Sequence, residues 1–233
     1  MKAGRKLSLQ RRIYKFFKFR IKKLLLLRRN KATLFRLRGK PLLVLPEVFH
    51  PGMYNTSSYF VKSISNANIR SDDKVLDLGT GSGVGAVFAA QFSEHVVATD
   101  INPIAVRCAK INALLNGFDD RIDVKLGDLF EPVEGKKFDL ILYTPPFYLG
   151  KPVDRFEIAF KGGEKDEHVC YKFFSSVANY LTSSGRVRML WSTIADFPEM
   201  ENELVKNGLE ILKVEQSDIF TEVVFTYEFR PKR

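Results

Sequence analysis

The chain has 233 residues, 45% hydrophobic and 27% charged, with two cysteines, Cys108 and Cys170. That length holds one α/β domain plus a small extension, and two cysteines exclude a disulfide framework. The net charge of +10 is concentrated at one end: residues 1–40 carry sixteen Lys and Arg and no acidic residue, so the remainder is a mildly acidic body of net −6. Such asymmetry points to a polyanionic partner, either nucleic acid or an anionic membrane surface.

The basic head contains no apolar run near the roughly 20 residues of a membrane span. Leu24–Leu27 is enclosed by Lys23 and Arg28. Lys15, Lys18, Arg20, Lys22 and Lys23 interrupt any secretory h-region, so the cytoplasm is the expected compartment, with an organellar transit peptide as the alternative. Ile13, Phe17, Ile21, Leu24 and Arg28 follow steps of four, four, three and four, which predicts a basic amphipathic helix over Leu9–Arg29. Such a helix either packs its stripe on the body or faces RNA, a ribosomal partner or a membrane surface.

Thr33–Arg38 alternates, Gly39-Lys40-Pro41 turns and Leu42–Leu45 is apolar, which predicts a hairpin. Residues 1–45 are thus expected as an N-terminal extension and 46–233 as the domain. Pro46 to Asn55 has loop chemistry, and Thr56-Ser57-Ser58 offers caps for a helix to about Ser65. From Asp73 strand and helix patterns alternate, the sign of a mainly parallel sheet with crossover helices. Strands are predicted at 74–77, 96–99, 122–125, 140–143 and 187–191, and helices at 84–92, 103–116, about 167–180 and 197–207. Two last strands, 210–216 and 222–229, are too closely joined for a helical crossover, so the final one should run antiparallel.

Four strand ends carry the candidate chemistry. Lys74-Val-Leu-Asp-Leu-Gly-Thr-Gly-Ser-Gly-Val-Gly-Ala86 is a strand entering a glycine-rich turn that opens a helix. Gly79, Thr80, Gly81 and Gly83 let a ligand lie against backbone amides. Gly81, Gly83 and Ala86 also satisfy the dinucleotide pattern of nicotinamide enzymes. Asp77 argues against that reading, because a carboxylate there repels a pyrophosphate and suits a ligand bearing an ammonium group, as S-adenosylmethionine does. Asp100 ends the second strand, where it can accept ribose hydroxyls. Ile101 and Asn102 are placed to flank an adenine, and Asp128, followed by Leu129, could accept its exocyclic amino group. The fourth predicted strand ends in Thr144-Pro145-Pro146-Phe147. Two prolines remove two amide donors and stiffen the backbone, leaving carbonyls to face a cleft. With the Thr144 hydroxyl they can hold an amino group, while Phe147 offers a ring face to a flat target. His50, His95 and His168 have no second ligand at helical or strand spacing, so no metal site is expected.

With these residues in place, positions 42–229 resemble the class I S-adenosylmethionine-dependent methyltransferases. Val75–Gly83 with Thr144–Phe147 is similar to the amino-methylating branch, which includes release-factor glutamine and adenine or cytosine amino-methyltransferases. The resemblance implies a Rossmann-like α/β fold, a seven-stranded, mainly parallel sheet with an antiparallel last strand. It also implies donor contacts from Asp77, Gly79, Gly81, Asp100 and Asp128, and an acceptor held by Thr144–Phe147. Phe49, Pro51 and Thr56 resemble the loop that closes over the donor. Thr144 departs from the asparagine of the glutamine-modifying members, and a hydroxyl offers one rotatable proton where an amide offers donors and an acceptor. The expected acceptor is therefore a planar amino or amide group of a nucleobase or protein glutamine. A small-molecule N- or O-methyltransferase, and a silent RNA- or protein-binding member of the fold, are the alternatives.

Overall fold

The computed structural model describes residues 31–232 apart from 54, 66, 198, 199, 220 and 221, so the expected helix over Leu9–Arg29 lies outside the described residues. Strands β1 (Thr33–Leu37) and β2 (Lys40–Val44) form an antiparallel hairpin. Its turn is tighter than the sequence suggested. Arg38 and Gly39 have φ of 45° and 86°, the left-handed pair of a two-residue hairpin turn. Lys40 and Pro41 therefore belong to β2, opposite Leu37 and Arg36. Leu37–Lys40 closes the turn as a hydrogen-bonded pair, which leaves Pro41 in a non-hydrogen-bonded pair where its missing N–H costs nothing.

Strands β3 (Lys74–Leu78), β4 (His95–Asp100), β5 (Ile122–Leu126), β6 (Phe138–Tyr143), β7 (Leu181–Ser192), β8 (Leu209–Asp218) and β9 (Val223–Pro231) build one sheet. Its order is β5-β4-β3-β6-β7-β9-β8. The pairs from β5 across to β7 are parallel, and β9 runs antiparallel to both neighbours. Helices α1 (Asn55–Ser65), α2 (Val84–Ala89) and α3 (Pro103–Leu115) supply buried residues to one core layer. Helices α4 (Val169–Ser176) and α5 (Met200–Lys206) supply the other. Central strands serve both layers alternately: Val75 and Leu142 face the first, Leu76 and Ile141 the second. Burial on both faces is why they read as unbroken apolar runs.

The hairpin shares this core. Leu37 and Leu42 belong to the first layer, and Leu42 is fully buried. The Asn112 side chain of α3 accepts from Leu43 N–H at 2.7 Å and donates to the carbonyls of Leu43 and Ser82. One buried amide thereby ties the hairpin to the glycine turn. The strand order reverses between β3 and β6, so their carboxyl ends diverge around a crevice, the usual ligand position in open α/β sheets. Among the described residues, no helix is long and apolar enough to cross a membrane.

Candidate active site

A cavity of about 430 Å³ opens at that crevice, within the usual size of small-molecule sites. Gly79 and Gly81, at φ of 67° and 57°, bring bare backbone to its wall, and a Cβ on either would meet only open space. Gly83 differs from the expectation. It is absent from the wall, and a Cβ there would lie 2.9 Å from the Ala109 backbone. Its bareness serves the packing of α3 on the turn, not ligand contact.

Asp77 is 4% exposed and borders the cavity. Its Oδ2 accepts from the Thr80 hydroxyl at 2.5 Å and from Ala86 N–H at 2.8 Å. It thus braces the turn as well as facing the crevice, and a Cβ on Gly85 would run into its carboxylate. Burial pushes its pKa up to about 6, with a smaller push from Asp100. The Asp100 carboxylate accepts from Gly81 N–H and Asn102 N–H, each at 2.8 Å. Burial raises its pKa too. The chain therefore holds two desolvated carboxylates side by side in a cavity with a largely apolar wall. Such an arrangement is costly alone and is relieved by a cationic, hydroxyl-bearing ligand.

Ile101, Asp128, Leu129 and Thr56 line the same cavity, as do Phe49 and Pro51. Leu129 is held at φ 44°, an uncommon conformation for a bulky residue. Asn102 also borders the cavity, but its side chain is already engaged. Its Oδ1 caps α3 by accepting from Ile104 N–H at 2.9 Å, and its Nδ2 donates to the Glu47 carbonyl at 3.1 Å.

On the other side of the crevice β6 runs out into Thr144–Phe147, all four of which line the cavity. Thr144 is exposed, and among the described residues no hydrogen bond engages its hydroxyl. The Phe147 ring meets Trp191 edge-on, with centroids 5.9 Å apart. The Phe147 carbonyl accepts from Asp196 N–H at 2.8 Å, and the Asp196 carboxylate accepts from Leu149 N–H at 3.3 Å. Residues 148–163 then fold back beside the cavity: Tyr148 and Gly150 bridge to Lys161 and Gly163. This flap meets the loop before α1 through Arg155 and Glu47, 3.9 Å apart, and through the rings of Phe49 and Phe160 at 5.5 Å.

Glu47, Arg155, Phe160 and Glu222 line the site without having been anticipated. The flap has neither helical nor strand period, and its local signals are only turn residues, Gly150 with Pro152 and Gly162-Gly163. A larger open trough of about 1010 Å³ lies at the opposite edge, around the starts of β3 to β6. It holds mixed surface charges and none of the glycine-turn or Thr144–Phe147 groups, so the smaller cavity is the site.

A family model described as the methyltransferase small domain matches residues 41–221. A candidate protein N5-glutamine methyltransferase of Methanocaldococcus jannaschii is 32% identical over 183 residues, covering 76% of this chain and 89% of that protein. A tRNA1(Val) (adenine(37)-N6)-methyltransferase of Actinobacillus pleuropneumoniae is 36% identical over 97 residues, 40% of each chain. The ribosomal protein L11 methylase of Lactobacillus delbrueckii subsp. bulgaricus superposes with a TM-score of 0.61 at 20% identity, covering 86% of this chain and 99% of that one. At that identity the superposition shows the fold alone.

Proposed function

The chain belongs to the methyltransferase small domain family of S-adenosylmethionine-dependent methyltransferases, and from that premise we propose that it methylates the nitrogen of a planar amino or amide group held at Thr144–Phe147. The observation that carries this reading is the shared cavity. The bare Gly79–Gly81 backbone, the Asp77 and Asp100 carboxylates, and Thr144–Phe147 all border one space of about 430 Å³.

S-adenosylmethionine supplies an activated methyl group. The chain supplies position. Asp77 faces the donor's ammonium, Asp100 its ribose hydroxyls, and Ile101, Asp128 and Leu129 its adenine. On the acceptor side, the Thr144 hydroxyl and the Pro145 carbonyl hold the N–H groups of the target, and Phe147 covers its flat face. Fixing those N–H bonds turns the nitrogen lone pair toward the donor, so orientation does most of the catalytic work. The same acceptors stabilise positive charge as it develops on nitrogen. No cysteine stands at Thr144–Phe147, which disfavours covalent attack on a pyrimidine ring. Relatives named for glutamine and for adenine N6 support both an amide and an exocyclic amine as targets.

Two substitutions test the acceptor clamp, read by methyl transfer from tritiated S-adenosylmethionine into a cell extract. Thr144→Val keeps the branched shape and removes the hydroxyl, so turnover should fall about 10- to 1000-fold with donor affinity constant. Phe147→Ala should raise the half-saturating acceptor concentration, since stacking on a base is worth about 1–3 kcal/mol. Full turnover in Thr144→Val would overturn the clamp and favour methylation of a hydroxyl on a small molecule.

A further inference from the structure

His168 lies outside the cavity wall, yet the acceptor side is assembled around it. It is completely buried at the start of α4, where its Nδ1 accepts from Cys170 N–H at 3.3 Å and caps the helix. That bond leaves the proton of the neutral ring on Nε2. Burial holds the ring's pKa below the ordinary histidine value, outweighing the Tyr148 backbone carbonyl and Asp196, which both act the other way. The contact with Tyr148 falls short of hydrogen-bond geometry, so Nε2 is buried without a full partner. One ring face lies on Phe197, with centroids 5.1 Å apart. The ring edge abuts Gly162, where any Cβ would collide with Nε2.

Gly162 in turn donates its N–H to the Tyr148 carbonyl at 2.9 Å and accepts from Val169 N–H at 2.7 Å. Tyr148 follows Phe147 directly. The imidazole is therefore wedged among the exit from Thr144–Phe147, the Gly162-Gly163 return of the flap, and the 195–197 segment that pins Phe147. Capping alone does not explain a histidine here. Asn or Ser caps a helix as well, whereas the ring adds a buried, under-bonded Nε2 and demands glycine at 162.

We propose that His168 is a positioning residue for the acceptor: as the Nε2–H tautomer it sets the path of Tyr148 and Gly162, and through them the placement of Phe147 against the target. It touches neither donor nor acceptor. The role rests on the reading of Thr144–Phe147 as the acceptor clamp.

His168→Asn separates capping from positioning, because an asparagine keeps the cap and loses the ring. With tritiated S-adenosylmethionine and a cell extract as the acceptor source, its half-saturating extract concentration should rise about 5- to 30-fold, because the ring no longer packs on Gly162 and Phe197 and Phe147 is free to shift from its place against the target. S-adenosylhomocysteine affinity should stay within about twofold, since no donor-side residue is altered. His168→Gln, whose longer amide returns a donor near the Nε2 position, should recover part of the loss. Gly162→Ala should produce the same defect, and adding it to His168→Asn should do little more, because the smaller side chain makes room for the methyl.

Trp191 is the chain's single tryptophan and borders Phe147. Its acrylamide quenching should increase in His168→Asn even where turnover is too slow to follow. A folded His168→Asn protein with unchanged half-saturation and unchanged Trp191 quenching would overturn the proposal. So would donor affinity falling in step with acceptor affinity. Phe147→Ala run alongside distinguishes the failures: if it alone weakens acceptor binding, only the positioning role is lost, and if neither variant does, the clamp falls too.

Discussion

Asp77 serves two demands at once. Its Oδ2 holds the glycine turn through Thr80 and Ala86, while its burial makes the charged form unfavourable, with a pKa of about 6. A buried carboxylate with a raised pKa stabilises the fold below its unfolded pKa, near 3.8. That contribution is lost as pH rises through about 6, and amounts to roughly 3 kcal/mol. The protein without donor should therefore be less stable at pH 8 than at pH 5 from this group alone. Donor affinity should move the other way, because an ammonium needs the ionised carboxylate. Calorimetry should show S-adenosylmethionine binding weaken as pH falls through about 6, and Asp77→Asn should flatten that dependence while lowering affinity at neutral pH. A wild-type profile that is flat from pH 5 to 8 would remove Asp77 from the donor contacts. The place of Asp77 on the cavity wall was legible from the sequence because a strand running into a glycine turn ends at the crevice of an open α/β sheet. Its bracing role was not, because the bonds to Thr80 and Ala86 depend on how the turn closes.

At the scale of elements, the glycine turn is held from outside by α3. Gly83 has φ 83° and no room for a Cβ beside Ala109, whereas Gly117 has φ 69° and open space around it. Gly117→Ala should lose only the left-handed backbone preference, about 1 kcal/mol. Gly83→Ala adds a steric clash in a close-packed layer and should lose about 2–4 kcal/mol in urea denaturation. Equal losses at the two sites would mean that α3 does not press on the turn. The parallel strands were legible because burial on both faces leaves short unbroken apolar runs bounded by turn residues, and the antiparallel β9 followed from the short link before it. The flap was not legible. Residues 148–163 are held by isolated bridges between Tyr148 and Lys161 and between Gly150 and Gly163, and single bridges leave no period in a sequence. Gly150, Pro152 and the Gly162-Gly163 pair mark turns there, and the bareness of Gly162 is explained by His168, which fills the space beside it. The hairpin turn was misplaced by two residues because a proline at 41 reads as a breaker, yet its pairing opposite Arg36 asks nothing of its nitrogen.

Along the sequence, a basic segment of residues 1–40 precedes a mildly acidic remainder. The hairpin contributes Arg36, Arg38 and Lys40 to that positive charge, and it packs on α3, whose cap Asn102 adjoins the cavity carboxylate Asp100. Such a charge distribution favours a macromolecular, polyanionic carrier of the target group over a free metabolite. The carboxylate pair, the glycine backbone and the Thr144–Phe147 clamp all lead to one claim, that a methyl group passes from S-adenosylmethionine to an amino or amide nitrogen. The direct measurement is to incubate the protein with tritiated S-adenosylmethionine and an extract of cells lacking it, and to separate RNA, protein and small molecules. The labelled product is then hydrolysed and the methylated atom identified by mass spectrometry. Label is expected in RNA or protein, recovered as an N-methylated base or as N5-methylglutamine. Label recovered on oxygen, or only among small molecules, would contradict that claim.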